Sequence, residues 1–242
     1  SGESNLNVFG FSQPYPGEEQ TNQSVLRAVF GPDPPHFAIA LLDAHGWLVL
    51  RPSGLDAPPC FRVQSFPLVR SLPRYKYYMV EVARVCAVDP STDRRSVCAH
   101  PPRYMIIDTG SNMMSVSTPL MSELRARGVR VPRGAHIDID VVTEDGTAAP
   151  LRFTAKDYCI GSQLLIRDNL PVDKQEENQF LLLGSLFLRQ RYTEINTKTQ
   201  TIKIGSLLPT GADPHGMPSS PAPLSVRHGT RVPHGAGQKK VV

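Results

Sequence analysis

Tryptophan occurs once in 242 residues, and aromatic residues make up only 7% of the chain. No apolar run approaches the roughly 18 to 20 residues that a membrane-spanning helix needs, which excludes such a helix. Cysteine is scarce as well. Cys60, Cys86, Cys98 and Cys159 form no Cys-x-x-Cys pair and have no histidine at zinc-ligand spacing, so a zinc site is not expected. The seven histidines show no metal spacing, and no Gly-x-Ser-x-Gly elbow exists for a serine nucleophile. No repeat recurs at periods of about 20 to 50 residues, which argues against a solenoid. No targeting peptide remains to be read, because the sequence opens at Ser1 with no basic start followed by an apolar stretch. The expectation is a processed product with further sequence upstream.

Proline and glycine, by contrast, are plentiful, at 23 and 18 residues. So many prolines disfavour a helical bundle or coiled coil, because proline breaks helix interiors. The 40% apolar content is too high for a wholly disordered chain. A loop-rich, mainly β protein follows. The formal charge of +4 is unevenly placed. Residues 206–242 hold Arg227, Arg231, Lys239 and Lys240 against Asp213, a net +3 that leaves +1 for residues 1–205. With six prolines and five glycines, that basic tail cannot bury enough to fold alone. It is read as a flexible linker or processed terminus, and it is the one part that could reach nucleic acid or an acidic partner.

Short β-like runs separated by turn residues cover 37–42, 47–50, 61–69, 75–85, 104–107, 137–142, 151–153, 180–183, 192–195 and 201–204. A helix is expected after Ser117-Thr118, with Pro119 at its first position, Leu120, Met121 and Leu124 on one face, and Gly128 as its stop. Shorter helices are read at 185–190 and 22–30. Cys86 and Cys98 flank the polar stretch Asp89–Arg95, and a disulfide closing that loop is the expected pairing. The alternative is four buried thiols in a reducing compartment. Asn22-Gln23-Ser24 is a glycosylation sequon, a tripeptide that also arises by chance. Asp43, Asp138, Asp140 and Asp157 read as strand-edge or loop charges. Arg125, Arg127, Arg130 and Arg133 read as a solvated face at the end of the helix.

One segment departs from ordinary strand grammar. The apolar run Tyr104-Met-Ile-Ile107 ends directly in Asp108-Thr109-Gly110-Ser111. A carboxylate at the end of a buried strand is costly unless hydrogen bonds or function hold it there. Gly110 permits a tight turn and close backbone approach, and a carboxylate presented in this way suits general acid or base chemistry. About 75 residues downstream comes a second unusual segment, Phe180-Leu-Leu-Leu-Gly184, followed by Ser185-Leu-Phe-Leu-Arg-Gln-Arg-Tyr-Thr193 and a strand, hairpin and strand to Gly205.

Together, in this order and spacing, the two segments resemble the C-terminal lobe of pepsin-like aspartic proteases. The resemblance covers roughly residues 8–205. Val8–Ser12 looks like the end of the family's first lobe, 75–85 like the strand before the second aspartate, and the stretch from Asp145 to Tyr158 like its late hairpin. It implies an acid-protease lobe, antiparallel β with short helices and a psi-loop around Asp-Thr-Gly. Asp108 would be one of two catalytic aspartates, Thr109 would brace the loop, Gly110 and Ser111 would complete it, and Leu183-Gly184 would thread beneath it. The implied organisation is 1–74 as interlobe and approach strands, 75–205 as the catalytic-type lobe and 206–242 as the tail. No metal or organic cofactor is implied. The implied substrate is a peptide, and the compartment secretory or endolysosomal.

There are departures. No second Asp-Thr-Gly or Asp-Ser-Gly occurs in the chain, so the dyad that the resemblance implies would need its other aspartate from a partner lobe. Asn112 stands where the family usually has a second Ser or Thr, and Ser185 stands where Asp commonly follows the glycine. An alternative reading is therefore a catalytically silent subunit that keeps the fold for binding.

Overall fold

Alternation in Ile137-Asp-Ile-Asp-Val141 sends the three aliphatic side chains to one face of a strand and the two carboxylates to the other. That rule organises most of the chain. The structure is a computed structural model that describes residues 36–41, 46–50, 60–69, 77–130, 134–170, 172, 176–189 and 191–207. The candidate helix at 22–30, Asn22, Val8–Ser12, Arg133 and the tail beyond Leu207 lie outside the described residues.

Five strands make one antiparallel sheet: β1 (His36–Leu41), β2 (Gly46–Leu50), β3 (Phe61–Pro67), β14 (Arg191–Asn196) and β15 (Thr201–Leu207), in the order β2-β1-β14-β15-β3. The hairpin 196–201 joins β14 to β15, with Asn196 Oδ1 accepting from the Lys198 and Thr199 amides at 3.0 and 3.1 Å. A second, mixed sheet runs β12 (Ile166–Arg167), β7 (Met114–Ser115), β13 (Phe180–Gly184), β6 (Tyr104–Asp108), β4 (Tyr78–Val88), β8 (His136–Val142) and β9 (Ala148–Phe153), with β5 (Arg95–Val97) paired to β4. A small hairpin of β10 (Cys159–Ile160) and β11 (Gln163–Leu164) stands beside it.

All ten runs read from the sequence are strands, with shifted ends. The fourth run extends to Val88 because its second half pairs with β8 as far as Val88↔His136. A bulge between Val82 and Arg84 inserts one residue into β4. Before it Tyr78, Val80 and Val82 face the main core; after it Val85 and Ala87 do. The extra residue flips the parity and keeps apolar side chains inward, while Arg84 and Cys86 move to the outer face.

The predicted helix is α1 (Thr118–Ala126), followed by the single turn α2 (Ala155–Tyr158). Ser117 caps α1 by accepting the Leu120 amide, Pro119 lies in its first turn, and Leu120, Met121 and Leu124 are buried. Gly128 adopts φ +92°, a left-handed conformation that ends the helix. The helix read at 185–190 is a short 3-10 turn, Ser185–Leu188. One core joins the sheets: Phe37 of β1 meets Tyr78 of β4 edge-on at 5.8 Å, alongside Ile195, Ile202, Ile107 and Leu183.

The expected Cys86–Cys98 disulfide does not form, and all four cysteines are free thiols. The sheet register explains this. Cys86 lies opposite Val97, so its neighbour Cys98 falls beside Val85, to whose carbonyl it donates at 2.9 Å. Successive side chains point to opposite faces, so Cys98 enters the main core with Val85 while Cys86 is buried on the other face of the sheet. Burial pushes the Cys98 thiol up to about 11.

Candidate active site

Strand β6 delivers Asp108. Four buried residues, Tyr104 to Ile107, fix the strand between β4 and β13, and Asp108 is its first half-exposed position. Each fully buried aliphatic side chain contributes on the order of 2 kcal/mol, so the strand end is firmly held. The chain then turns through residues 109–113 and returns as β7. It does not return beside β6. Strand β13 lies between them, parallel to β6 with Gly184 opposite Asp108, and antiparallel to β7 with Leu182 opposite Ser115. A strand threaded between the two arms of one loop is the psi arrangement.

Gly184 makes that threading possible. A Cβ built there would sit 2.6 Å from the Ser111 carbonyl oxygen and 2.7 Å from the Met113 nitrogen, with the Met113 carbonyl oxygen closer still. Its φ of −84° is ordinary, so the glycine is required for close approach and not for backbone conformation. Within the loop, the Gly110 amide donates to Asp108 Oδ1 at 2.8 Å. The Ser111 hydroxyl donates to the Met113 carbonyl at 3.3 Å. The Ser185 amide donates to the Ser111 carbonyl at 2.6 Å. Thr109 is half-buried, and its hydroxyl makes no hydrogen bond among the described residues.

Asp108, Thr109, Gly110, Ser111, Leu183 and Gly184 are thus brought to one sheet end. Chemically, Asp108 offers a carboxylate with a single backbone donor, leaving oxygen lone pairs for a water or for another carboxyl. Among the described residues no group of three or more histidine, cysteine, aspartate or glutamate side chains could hold a metal ion. None of the described helices is long and apolar enough to cross a membrane.

Two features escaped sequence reasoning. The departures at 112 and 185 touch each other: the Ser185 hydroxyl donates to Asn112 Oδ1 at 3.1 Å. They lie 73 positions apart, and only the register of β13 with β6 brings them together. The second feature corrects an expectation. Asp138 and Asp140 are not strand-edge charges; both are 1% exposed in the middle of β8. Arg152 grips Asp138 with two bonds, at 2.8 and 3.0 Å. Arg84 donates to Asp140 at 2.9 Å, and Arg95 bridges the pair at 2.5 Å from Asp140 and 3.4 Å from Asp138. The alternation around Ile137, Ile139 and Val141 could have placed both carboxylates on one face, but the arginines come from β4, β5 and β9.

No family model and no curated protein matches the chain. Among solved structures, the aspartic proteinase from Irpex lacteus superposes with a TM-score of 0.50 at 16% identity, covering 73% of this chain and 58% of that one. Basic 7S globulin from soybean superposes with a TM-score of 0.49 at 13% identity, covering 70% and 50%. The chain thus spans between half and three-fifths of the length of these proteins. At such identity the likeness to the proteinase shows the fold alone: this is a mainly β protein with a pepsin-like aspartic-proteinase fold.

Proposed function

We propose that the chain is the C-terminal lobe of an aspartic endopeptidase that becomes active when an N-terminal lobe supplies the second aspartate. The observation that carries this reading is the placement of Asp108: at the end of a buried strand, in a loop threaded by Gly184, with Gly110 donating to it at 2.8 Å. In the dyad two facing carboxyls share one proton, because two like charges at that distance cannot both ionise. They hold a water between them. As the water oxygen bonds to the scissile carbonyl carbon, its proton passes to the ionised carboxylate and the protonated carboxyl donates to the carbonyl oxygen. The tetrahedral species then breaks at C–N, and the departing amine takes up a proton.

In this reading residues 75–205 form the catalytic lobe and 1–74 carry the approach from the partner lobe. Leu183 underlies the loop, and Gly110 keeps the backbone close to the partner loop. Peptides are the substrates, and the secretory or endolysosomal route is the compartment. The test is hydrolysis of a peptide library by the purified full-length protein. Asp108→Ala should lower kcat/KM by at least about a thousandfold, or about 4 kcal/mol, and a statine-type transition-state mimic should inhibit the wild type. Equal hydrolysis by Asp108→Ala, or resistance of an active protein to the mimic, would refute the reading.

A second reading, a silent subunit using the same fold for assembly, is favoured by the single Asp-Thr-Gly in 242 residues. It predicts stoichiometric partners that lack such a loop. An apolar-Asp-Thr/Ser-Gly motif about one lobe-length upstream in the reading frame would decide against it.

A further inference from the structure

We propose that Asn112 and Ser185 are positioning residues that latch the Asp108 loop onto the end of β13, an inference that rests on the dyad reading of Asp108. Ser185 engages two successive loop residues. Its amide donates to the Ser111 carbonyl at 2.6 Å, and its hydroxyl donates to Asn112 Oδ1 at 3.1 Å. It follows directly on Gly184, the register partner of Asp108, so both bonds are made one residue from the carboxylate's own strand contact.

The chemistry of the pair is informative. In the family that the sequence resembles, position 112 would hold a hydroxyl, a donor, and position 185 a carboxylate, which only accepts. Here both have changed, and the hydroxyl on β13 donates to the carboxamide oxygen on the loop. One donor still faces one acceptor, and the pair has become neutral. Removing either side chain deletes the one bond that the two share, so they act as a unit. A neutral latch also keeps a second fixed carboxylate away from Asp108, where like charge would compete with its ionisation. Held in this way, the loop keeps the Gly110 amide aimed at Asp108 Oδ1.

The experiment uses the full-length protein with Ser185→Ala, Asn112→Ala, the double alanine variant and the exchanged pair Asn112→Ser with Ser185→Asn. Amide hydrogen exchange at Gly110 and Ser185 is read beside thermal unfolding and peptide hydrolysis. Each single variant should speed exchange at these two amides about tenfold without moving the unfolding temperature. The double variant should go no further than either single, and the exchanged pair should restore the wild-type rate. In hydrolysis kcat should fall about tenfold with KM unchanged, and the exchanged pair should recover it.

Unchanged exchange, additive single effects, failure of the exchanged pair to rescue, or altered exchange with wild-type kcat would each overturn the latch. If the wild-type protein hydrolyses no peptide, the dyad reading fails separately. The exchange measurements then decide the latch alone, by the same tenfold rise and rescue.

Discussion

Asp108 and the pair Asp138 and Asp140 are carried by strands of one sheet, and their surroundings are opposite in kind. The pair is fully buried mid-strand, and three arginines reach it from three other strands. These arginines stay partly in solvent, with Arg84, Arg95 and Arg152 side chains 52%, 35% and 41% exposed. Arg152 also reaches Asp93 in the β4–β5 hairpin at 2.8 Å, which ties that turn to the sheet. Such carboxylates have their oxygens filled by cationic donors and serve as part of the framework. Asp108 is half-exposed at a strand end, and among the described residues one backbone amide is its only side-chain partner. A filled carboxylate holds strands together. An open one, held by its backbone, can exchange a proton with a water. The two settings show how one residue type becomes scaffold or candidate reagent through the number of donors around it.

Substitutions can break or sharpen that contrast. Gly184→Ala should have the largest effect on stability, because its Cβ meets backbone atoms of Ser111 and Met113 that cannot rotate away. A loss of about 3 kcal/mol in denaturant unfolding is expected, with the Asp108 loop displaced. Asp140→Ala comes next. It strands Arg84 and leaves Arg95 only its longer contact to Asp138, and since both arginines are partly solvated the expected cost is about 2 kcal/mol, below that of breaking a fully buried pair. Asp108→Ala, measured the same way, should cost less than about 0.5 kcal/mol, since it removes one half-exposed acceptor. Equal losses at 108 and 140 would erase the distinction between the two settings.

The smallest effect concerns a third carboxylate. Asp145, in the β8–β9 turn, accepts from the Thr143 hydroxyl at 2.5 Å, the Thr147 hydroxyl at 2.7 Å and the Thr147 amide at 3.0 Å. The two threonine hydroxyls first, then the amide, hold its carboxyl down to about 2, below the ordinary 3.8. The folded value is depressed, so this contribution is complete above 3.8 and is lost as pH falls toward 2. Protection of the Thr147 amide from exchange should therefore fade across that interval and stay flat from about pH 5 to 8. Fading that begins above pH 5 would show that another group controls the turn.

The strands were legible because their apolar positions recur at a period that is local in the chain. The same holds for α1, whose cap, first-turn proline and closing glycine lie within a dozen residues. Asp108 was legible because an apolar run ending in Asp-Thr-Gly conflicts with ordinary burial. The Cys86–Cys98 pairing was misread because nearness in sequence says nothing about which face of a ribbon a side chain occupies. Asp138 and Asp140 were misread for a related reason. Their burial depends on Arg84, Arg95 and Arg152, and no local pattern announces that these will converge. The short strands β5, β7, β10, β11 and β12 carry too few residues for any period to show.

What is scarce in this chain, from tryptophan to metal-ligand clusters, already directed attention to a single carboxylate loop and to a β framework punctuated by proline and glycine. Those are properties of local chemistry, and local chemistry is written in order along the chain. The threading of β13 between β6 and β7, the contact of Ser185 with Asn112, and the choice of which aspartates are filled and which stays open required the sheets to assemble. Each depends on pairing between segments tens of residues apart, and register across such a distance is set by the whole core and not by any one stretch of it.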